Sequence, residues 1–212
     1  QDGSLLCRSL LNQGFEVFGT TRNHKQVCTN HIKLNIHNDI KLHQLDLLNV
    51  SEITKIIKQV NPAEIYNLSA QSSVGKSFNY PEETFKSIVS VTVNILEACK
   101  KINYEGRVIF AGSSEMYGDH RSRININSTQ NPNNPYGIAK NCSYNLVKMY
   151  REAYQLKCVT GIFFNHESHL RSESFVTHKI IEAAIESTKI KDHKITLGNI
   201  NIFRDWGWAE EY

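Results

Sequence analysis

Asn134-Pro135-Tyr136-Gly137-Ile138-Ala139-Lys140 is the stretch on which the reading turns. A helix that takes Pro135 into its first turn sets Tyr136 and Lys140 one turn apart on a single face. Tyrosine is a poor proton acceptor at its free pKa of about 10. An ammonium and an oxidised nicotinamide beside it would favour the phenolate, and a shift of about three units corresponds to roughly 4 kcal/mol. The pairing reads as hydride-transfer machinery. The same spacing also occurs on amphipathic helices where it means only a packed ring and a solvated amine, so the flanking chain has to discriminate.

Outward from that helix, short apolar strands alternate with amphipathic helices, the sequence form of a parallel sheet covered on both faces. Strands are expected at Glu16 to Thr21, Lys41 to Gln44, Glu64 to Leu68, Arg107 to Ala111 and Val159 to Phe164. Ser51 reads as the N-cap of a helix whose Ile53, Ile56, Ile57 and Val60 form one buried stripe, and Pro62 closes it. Pro81 to Lys101 is expected to lie against the sheet through Phe85, Ile88, Ile95, Leu96 and Cys99. Leu146, Val147, Tyr150 and Tyr154 continue the helix that bears the Tyr/Lys pair, and Phe175 to Lys189 reads as a helix with Val176, Ile180, Ala184 and Ile185 facing inward. The fold class is therefore α/β, a doubly wound parallel sheet of the Rossmann type. Gln1-Asp2-Gly3-Ser4 runs straight into Leu5, Leu6, Leu10 and Leu11, so the sheet is expected to lack its first strand and most of its glycine-rich turn. The expected division is a dinucleotide-binding domain over residues 1–164 and the beginning of a substrate-binding domain over residues 165–212, in which His166 to Ser174 forms a polar loop.

Composition narrows the function classes. The chain has 212 residues, 40% hydrophobic and 21% charged, as in ordinary globular proteins. The longest apolar runs stop far short of the ~20 residues of a membrane helix, and no basic-then-apolar leader opens the chain, which gives a cytoplasmic expectation with no membrane partner. Five scattered cysteines without a C-x-x-C pair point to free, mostly buried thiols. A net charge of +3 without a basic block gives no nucleic-acid partner. His166-Glu167 is half of a metal-binding signature, lacks a second histidine four residues on, and yields no metal site.

Four further stretches accompany the Tyr/Lys pair: Asn67-Leu68-Ser69-Ala70-Gln71-Ser72-Ser73-Val74, Ala111-Gly112-Ser113-Ser114-Glu115-Met116-Tyr117-Gly118, Phe164-Asn165-His166-Glu167-Ser168, and Gly198-Asn199 through Arg204-Asp205-Trp206-Gly207. The first three follow expected strands, at the carboxyl edge where ligands of doubly wound folds bind. In order and spacing the set resembles extended short-chain dehydrogenases/reductases, and within them the GDP-mannose 4,6-dehydratase family, over essentially the whole chain. The resemblance implies a homo-oligomer (dimer or tetramer) that uses NADP and converts GDP-mannose to GDP-4-keto-6-deoxymannose. Carried over by motif, Tyr136 would take the 4-hydroxyl proton, Lys140 would favour its phenolate and hold the nicotinamide ribose, Glu115 would remove the carbon 5 proton, and Ser113 would hydrogen-bond the 4-hydroxyl. By the same resemblance the cofactor would meet Asp2, Arg22, Asp46, Leu47, Leu68, Ala70, Ser72, His166 and Arg171 as well as Tyr136 and Lys140. Arg22 stands where an acidic residue would select NAD and an arginine meets the 2′-phosphate of NADP. The sugar nucleotide would be held by Asn165, Val176, Lys179, Leu197, Gly198, Asn199 and Arg204, the lesser alternative for Arg204 being a surface ion pair with Asp205.

The chain departs from the family pattern at His169, where a proline is usual, at His178, where an arginine is common, and at Asn133-Asn134, where Arg-Ser usually precedes Pro-Tyr. It reads as an internal fragment, expected to bind NADP weakly or undetectably by itself. Two alternatives stay open: another sugar-nucleotide epimerase or reductase, which would keep Tyr136 and Lys140 but not need Glu115, and a catalytically silent dinucleotide-binding module.

Overall fold

The computed structural model describes residues 1–23, 28–119, 122–198 and 200–212. In chain order the elements are α1 (Asp2–Asn12), β1 (Val17–Thr21), α2 (Thr29–Lys33), β2 (Ile40–Gln44), α3 (Val50–Val60), β3 (Glu64–Asn67), α4 (Val74–Asn79) and α5 (Pro81–Phe85). A π-helical turn, Lys86–Ser90, joins α5 to α6 (Val91–Lys101); β4 (Arg107–Ser113) then leads into a 3₁₀ turn, Ser114–Tyr117. The rest comprises α7 (Pro135–Tyr154), β5 (Cys158–Phe163), β6 (Asn165–Glu167), α8 (Val176–Ser187), β7 (Trp206–Trp208) and a 3₁₀ turn, Ala209–Glu211.

The chain divides into two compact units, Val17–Val27 with Ile40–Phe163, and Gln1–Glu16 with Cys28–Asp39 and Phe164–Tyr212. The first unit is an α/β fold of parallel strands. Its strands do not join into one ladder among the described residues: β1 pairs with β2, and β3–β4–β5 forms a separate parallel sheet, with Val108 opposite Cys158 and Ser113 opposite Phe163. Its larger core cluster joins strands and helices. Val108, Phe110 and Cys158 from the strands meet Ile53 and Ile57 of α3, Ile95, Leu96 and Cys99 of α6, and Val147 and Tyr150 of α7. These positions recur at three-and-four spacing on each helix, so the core-facing stripe is set by the sequence period.

Three local expectations are corrected. Asn49, not Ser51, caps α3: its Oδ1 accepts from Ser51 N and Glu52 N, and Asn61 ends the helix in the left-handed conformation that asparagine tolerates. Phe85 is exposed, because the π turn that follows it rotates the buried stripe so that Ile88 faces inward. Of the five cysteines, only Cys99 and Cys158 are buried; Cys7 and Cys28 are half-buried and Cys142 lies exposed on α7.

The second unit is smaller-cored. Leu5 of α1, Leu170 and Ala209 are buried together, with Leu34 packed against them. The polar loop expected from His166 is in part the strand β6, paired in parallel with β7 so that Asn165, His166 and Glu167 face Trp206, Gly207 and Trp208. Two motifs about forty residues apart in the chain are thus hydrogen-bonded neighbours. The inward stripe expected on α8 is not inward: Val176, Ile180, Ala184 and Ile185 are exposed and the helix buries no residue. Periodicity locates an apolar face but does not supply the surface that covers it. No described helix is long and apolar enough to cross a membrane.

Candidate active site

β4 carries the chain to Ser113, whose Oγ accepts from Glu115 N at 3.2 Å and so opens the 3₁₀ turn. Ser113 is itself the last residue of the strand rather than a residue past it. Met116 and Tyr117 are fully buried and anchor the turn, and Gly118 ends it with φ +66, a conformation for which glycine is suited. Glu115 is left half-buried beside them.

Helix α7 is docked onto this turn by its first residues. Asn134 is its N-cap, accepting from Gly137 N through Oδ1 at 2.8 Å, and Pro135 occupies the first helical position. The Asn134 Nδ2 donates to Glu115 Oε2 at 2.7 Å. Gly137 makes the approach possible, since a Cβ there would sit 2.4 Å from the Glu115 carbonyl oxygen. The carboxylate is therefore tied to the residue two before Tyr136.

Tyr136 and Lys140 are both buried, as their shared helical face requires. Tyr136 packs in a cluster with Ile88 of the π turn and Ala139. The Lys140 ammonium donates to Ala111 O at 2.7 Å and lies 5.7 Å from the centroid of the Tyr136 ring. Burial lowers the Lys140 pKa to about 8. Beside it, Ser143 Oγ and Thr160 Oγ1 are buried without hydrogen-bond partners, and they line with Asn67 and Ser69 a cavity of about 10 Å³. That is room for one water.

The other expected cofactor residues of this unit follow strand ends on the same edge. Arg22 comes just after β1, exposed; Asp46 and Leu47 follow β2, and Leu68, Ala70 and Ser72 follow β3. Asp46 Oδ1 accepts from Leu48 N at 2.9 Å, and Leu47 O accepts from Asn94 Nδ2 at 3.0 Å, so both positions are held by named bonds. A buried ammonium on α7 bonded to Ala111 O of β4, with the buried Tyr136 ring beside it, forms a donor set that fits a nicotinamide nucleoside.

The second unit gathers Asp2, His166 and Arg171. His166 Nε2 lies 3.0 Å from Asp2 Oδ1, and the side-chain amide of Gln1 donates to His166 O at 2.9 Å and accepts from Ser168 Oγ at 2.9 Å. The interaction with the Asp2 carboxylate raises the His166 pKa against the opposing effect of burial. Burial works to raise the Asp2 carboxyl, and the contact with His166 and its charge outweigh that, leaving it below its ordinary value. The Tyr212 ring stacks on His166 at 4.6 Å, and Arg171 pairs with Glu167 at 3.1 Å while its guanidinium lies 3.6 Å over the Phe175 ring. Among the residues expected to hold substrate, Asn165 is on β6, Val176 and Lys179 lie on the exposed side of α8, and Leu197, Gly198 and Arg204 fall in an irregular segment where Arg204 donates to Phe203 O at 2.9 Å. Asn199 lies outside the described residues.

The sequence reading missed Asn134 as the partner of Glu115 and Ile88 as the floor under Tyr136. Asn-Pro at a helix start is an N-cap signature and was available for the first; no local signal announces the π turn that places the second.

Comparison with known proteins fixes the family. The family model described as GDP-mannose 4,6 dehydratase matches residues 1–212. GDP-mannose 4,6 dehydratase 1 of Arabidopsis thaliana is 39% identical over 100% of this chain and 62% of its own length. GDP-mannose 4,6 dehydratase of Homo sapiens is 39% identical over 100% of the chain and 60% of its own length. The chain thus spans about 60% of the curated relatives it matches. Among solved structures, a UDP-N-acetylglucosamine 4-epimerase from Methanobrevibacter ruminantium M1 superimposes with TM-score 0.84 at 23% identity, covering 100% of this chain and 66% of its own. The dTDP-glucose 4,6-dehydratase DesIV of Streptomyces venezuelae, solved with NAD bound, gives TM-score 0.85 at 18% identity over 99% of this chain and 65% of its own. These likenesses establish the Rossmann-type epimerase/dehydratase fold, and the full-length family match, together with the relatives' identity, establishes that the chain belongs to the GDP-mannose 4,6-dehydratase family.

Proposed function

We propose that the protein is a GDP-mannose 4,6-dehydratase that uses NADP and forms GDP-4-keto-6-deoxymannose. The observation that carries the reading is the bond from Asn134 to Glu115, which ties a carboxylate to the start of the helix bearing Tyr136 and Lys140. An epimerase or reductase has use for the phenol and the amine but none for that carboxylate. Bound NADP would supply the acceptor and later the donor of one hydride, with no net change in its redox state.

In this reading Tyr136 accepts the proton of the 4-hydroxyl as carbon 4 becomes a ketone, and Ser113 hydrogen-bonds that hydroxyl. Lys140, when charged, favours the phenolate of Tyr136. The ketone acidifies carbon 5, Glu115 takes its proton and passes it to the carbon 6 hydroxyl, which leaves as water, and the resulting alkene takes back the hydride at carbon 6 and a proton at carbon 5. Each such proton transfer is worth about 10²- to 10⁴-fold. Arg22 would meet the 2′-phosphate, Asp2, Asp46, Leu47, Leu68, Ala70, Ser72, His166 and Arg171 the rest of the cofactor, and Asn165, Val176, Lys179, Leu197, Gly198, Asn199 and Arg204 the sugar nucleotide. The assignment of residues 1–164 to cofactor and 165–212 to substrate, and a homo-oligomeric full-length protein, are parts of the same proposal.

The test is Glu115→Gln in a form spanning the relatives' full length, supplied with NADP and GDP-mannose and read by mass spectrometry of the sugar nucleotide. The parent protein is expected to give the 4-keto-6-deoxy product and the variant to lose it by at least about a hundredfold. Full turnover by the variant would exclude the mechanism.

A further inference from the structure

We propose that Asn134 is a positioning residue for the dehydration step: one side-chain amide both caps the catalytic helix and holds the Glu115 carboxylate in place relative to Tyr136. The inference rests on the dehydratase reading, because it gives Glu115 its task.

The orientation of the amide is fixed by its surroundings. The Gly137 backbone N–H can only donate, so the oxygen that lies 2.8 Å from it must be Oδ1. Nδ2 then necessarily faces Glu115 Oε2 and donates to it at 2.7 Å. The second contact of Nδ2 is with Asn133 Oδ1 at 3.3 Å, and Asn133 Nδ2 donates in turn to Asp119 Oδ2 at 2.7 Å. A chain of amides thus runs from one carboxylate to the other, each oriented by its neighbour. Asn134 is only 5% exposed, so water does not compete freely for its donors. A hydrogen bond to a charged group under those conditions is stronger than its surface counterpart.

Capping and positioning make separate demands on this side chain. Serine, aspartate and asparagine all cap helices well. Serine ends one bond short of the amide nitrogen, so its hydroxyl, engaged with Gly137 N, does not span to the Glu115 carboxylate. Aspartate keeps the cap and sets a like charge against Glu115. Only asparagine, or a residue with the same acceptor-and-donor fork, satisfies both partners.

The test compares Asn134→Ser and Asn134→Asp with the parent in the same full-length form. Both variants keep the cap but lose the bond to Glu115, so a modest fall in melting temperature is expected, larger in N134D. N134D is expected to slow exchange of the carbon 5 hydrogen with solvent deuterium by about ten- to a hundredfold and N134S by less, with a far smaller effect on oxidation at carbon 4 and on KM. Parental exchange in N134D would overturn the proposal, as would a loss of both chemical steps in step with thermal stability. A second readout needs no turnover: in ¹⁵N spectra of the 212-residue chain, Glu115→Ala is expected to move the Asn134 side-chain amide resonance and hasten its hydrogen exchange. An unmoved resonance would overturn the proposal even if the dehydratase reading stands; a parent without 6-deoxy product would retire that reading while this spectrum still decided the bond.

Discussion

Lys140 sits in the interior with its charge opposed by burial, and its folded pKa of about 8 lies below the ordinary lysine value of 10.5. The sign follows from proton binding. Between pH 8 and pH 10.5 the unfolded chain holds a proton that the folded chain has released, so stability rises with pH across that window. Below pH 8 the full cost of a buried ammonium is present, on the order of 3 kcal/mol before its bond to Ala111 O is counted. Lys140→Met is therefore expected to raise the melting temperature at pH 7 and to flatten the rise in stability towards pH 10, as denaturant titrations at several pH values would read. An unchanged pH dependence would show that the ammonium is better solvated than its surroundings imply. The two members of the Asp2/His166 pair contribute in opposite senses of pH. The raised His166 pKa contributes stability that is complete below about 6.5 and lost as pH climbs through the folded value, while the lowered Asp2 pKa contributes above about 3.8 and is lost as pH falls through its own. Asp2→Asn should lower the His166 titration midpoint, followed by NMR of the imidazole; a midpoint that stays put would assign the shift to the Phe164 carbonyl, 2.7 Å from Nδ1.

At the scale of elements, the docking of α7 on the turn before it depends on an absent methyl. A Cβ at Gly137 would meet the Glu115 carbonyl oxygen at 2.4 Å, a backbone atom with no flexible side chain to yield. Alanine has the better helix propensity by about 1 kcal/mol, yet overpacking of this kind costs about 1–3 kcal/mol. Gly137→Ala is expected to lower stability and to displace Glu115, visible as a fall in melting temperature; a stabilised variant would mean that the helix shifts freely. Removing the cap of α3 by Asn49→Ala is expected to cost about 0.5–2 kcal/mol in chemical denaturation. Both cases show what is legible. The strands and the Tyr/Lys face follow from period and punctuation, which the chain prints locally. Ser51 reads as a cap by residue type alone, whereas Asn49 is the cap and its Nδ2 also donates to Glu52 Oε1 at 2.9 Å. The pairing of β6 with β7 and the π turn under Tyr136 are not legible, because each depends on partners brought from elsewhere in the chain.

Over the whole molecule, the two compact units differ in what holds each together. The unit built on β3–β4–β5 buries fifteen core residues in one cluster, from Leu45 to Cys158, and its central side chains Leu96, Ala98 and Cys99 are wholly inaccessible. The unit built on α1 and β6 buries Leu5, Leu170 and Ala209 as its cluster, while Ile180, Ile181 and Ile185 of α8 remain in water and Phe203 is 97% exposed. Full burial of an aliphatic side chain is worth about 1.5–3 kcal/mol relative to exposure, so the difference in local stability is large compared with a domain's net stability. Amide exchange reports such differences directly, since an element opens at a cost set by the apolar contacts it must break. In hydrogen–deuterium exchange of the 212-residue chain, the slowest amides are expected in β4, α6 and the middle of α7, and those of α8 should exchange at least about a hundredfold faster, a gap of roughly 3 kcal/mol in opening free energy. Protection of α8 equal to that of β4 would mean that its apolar face is covered in solution by something other than the contacts described.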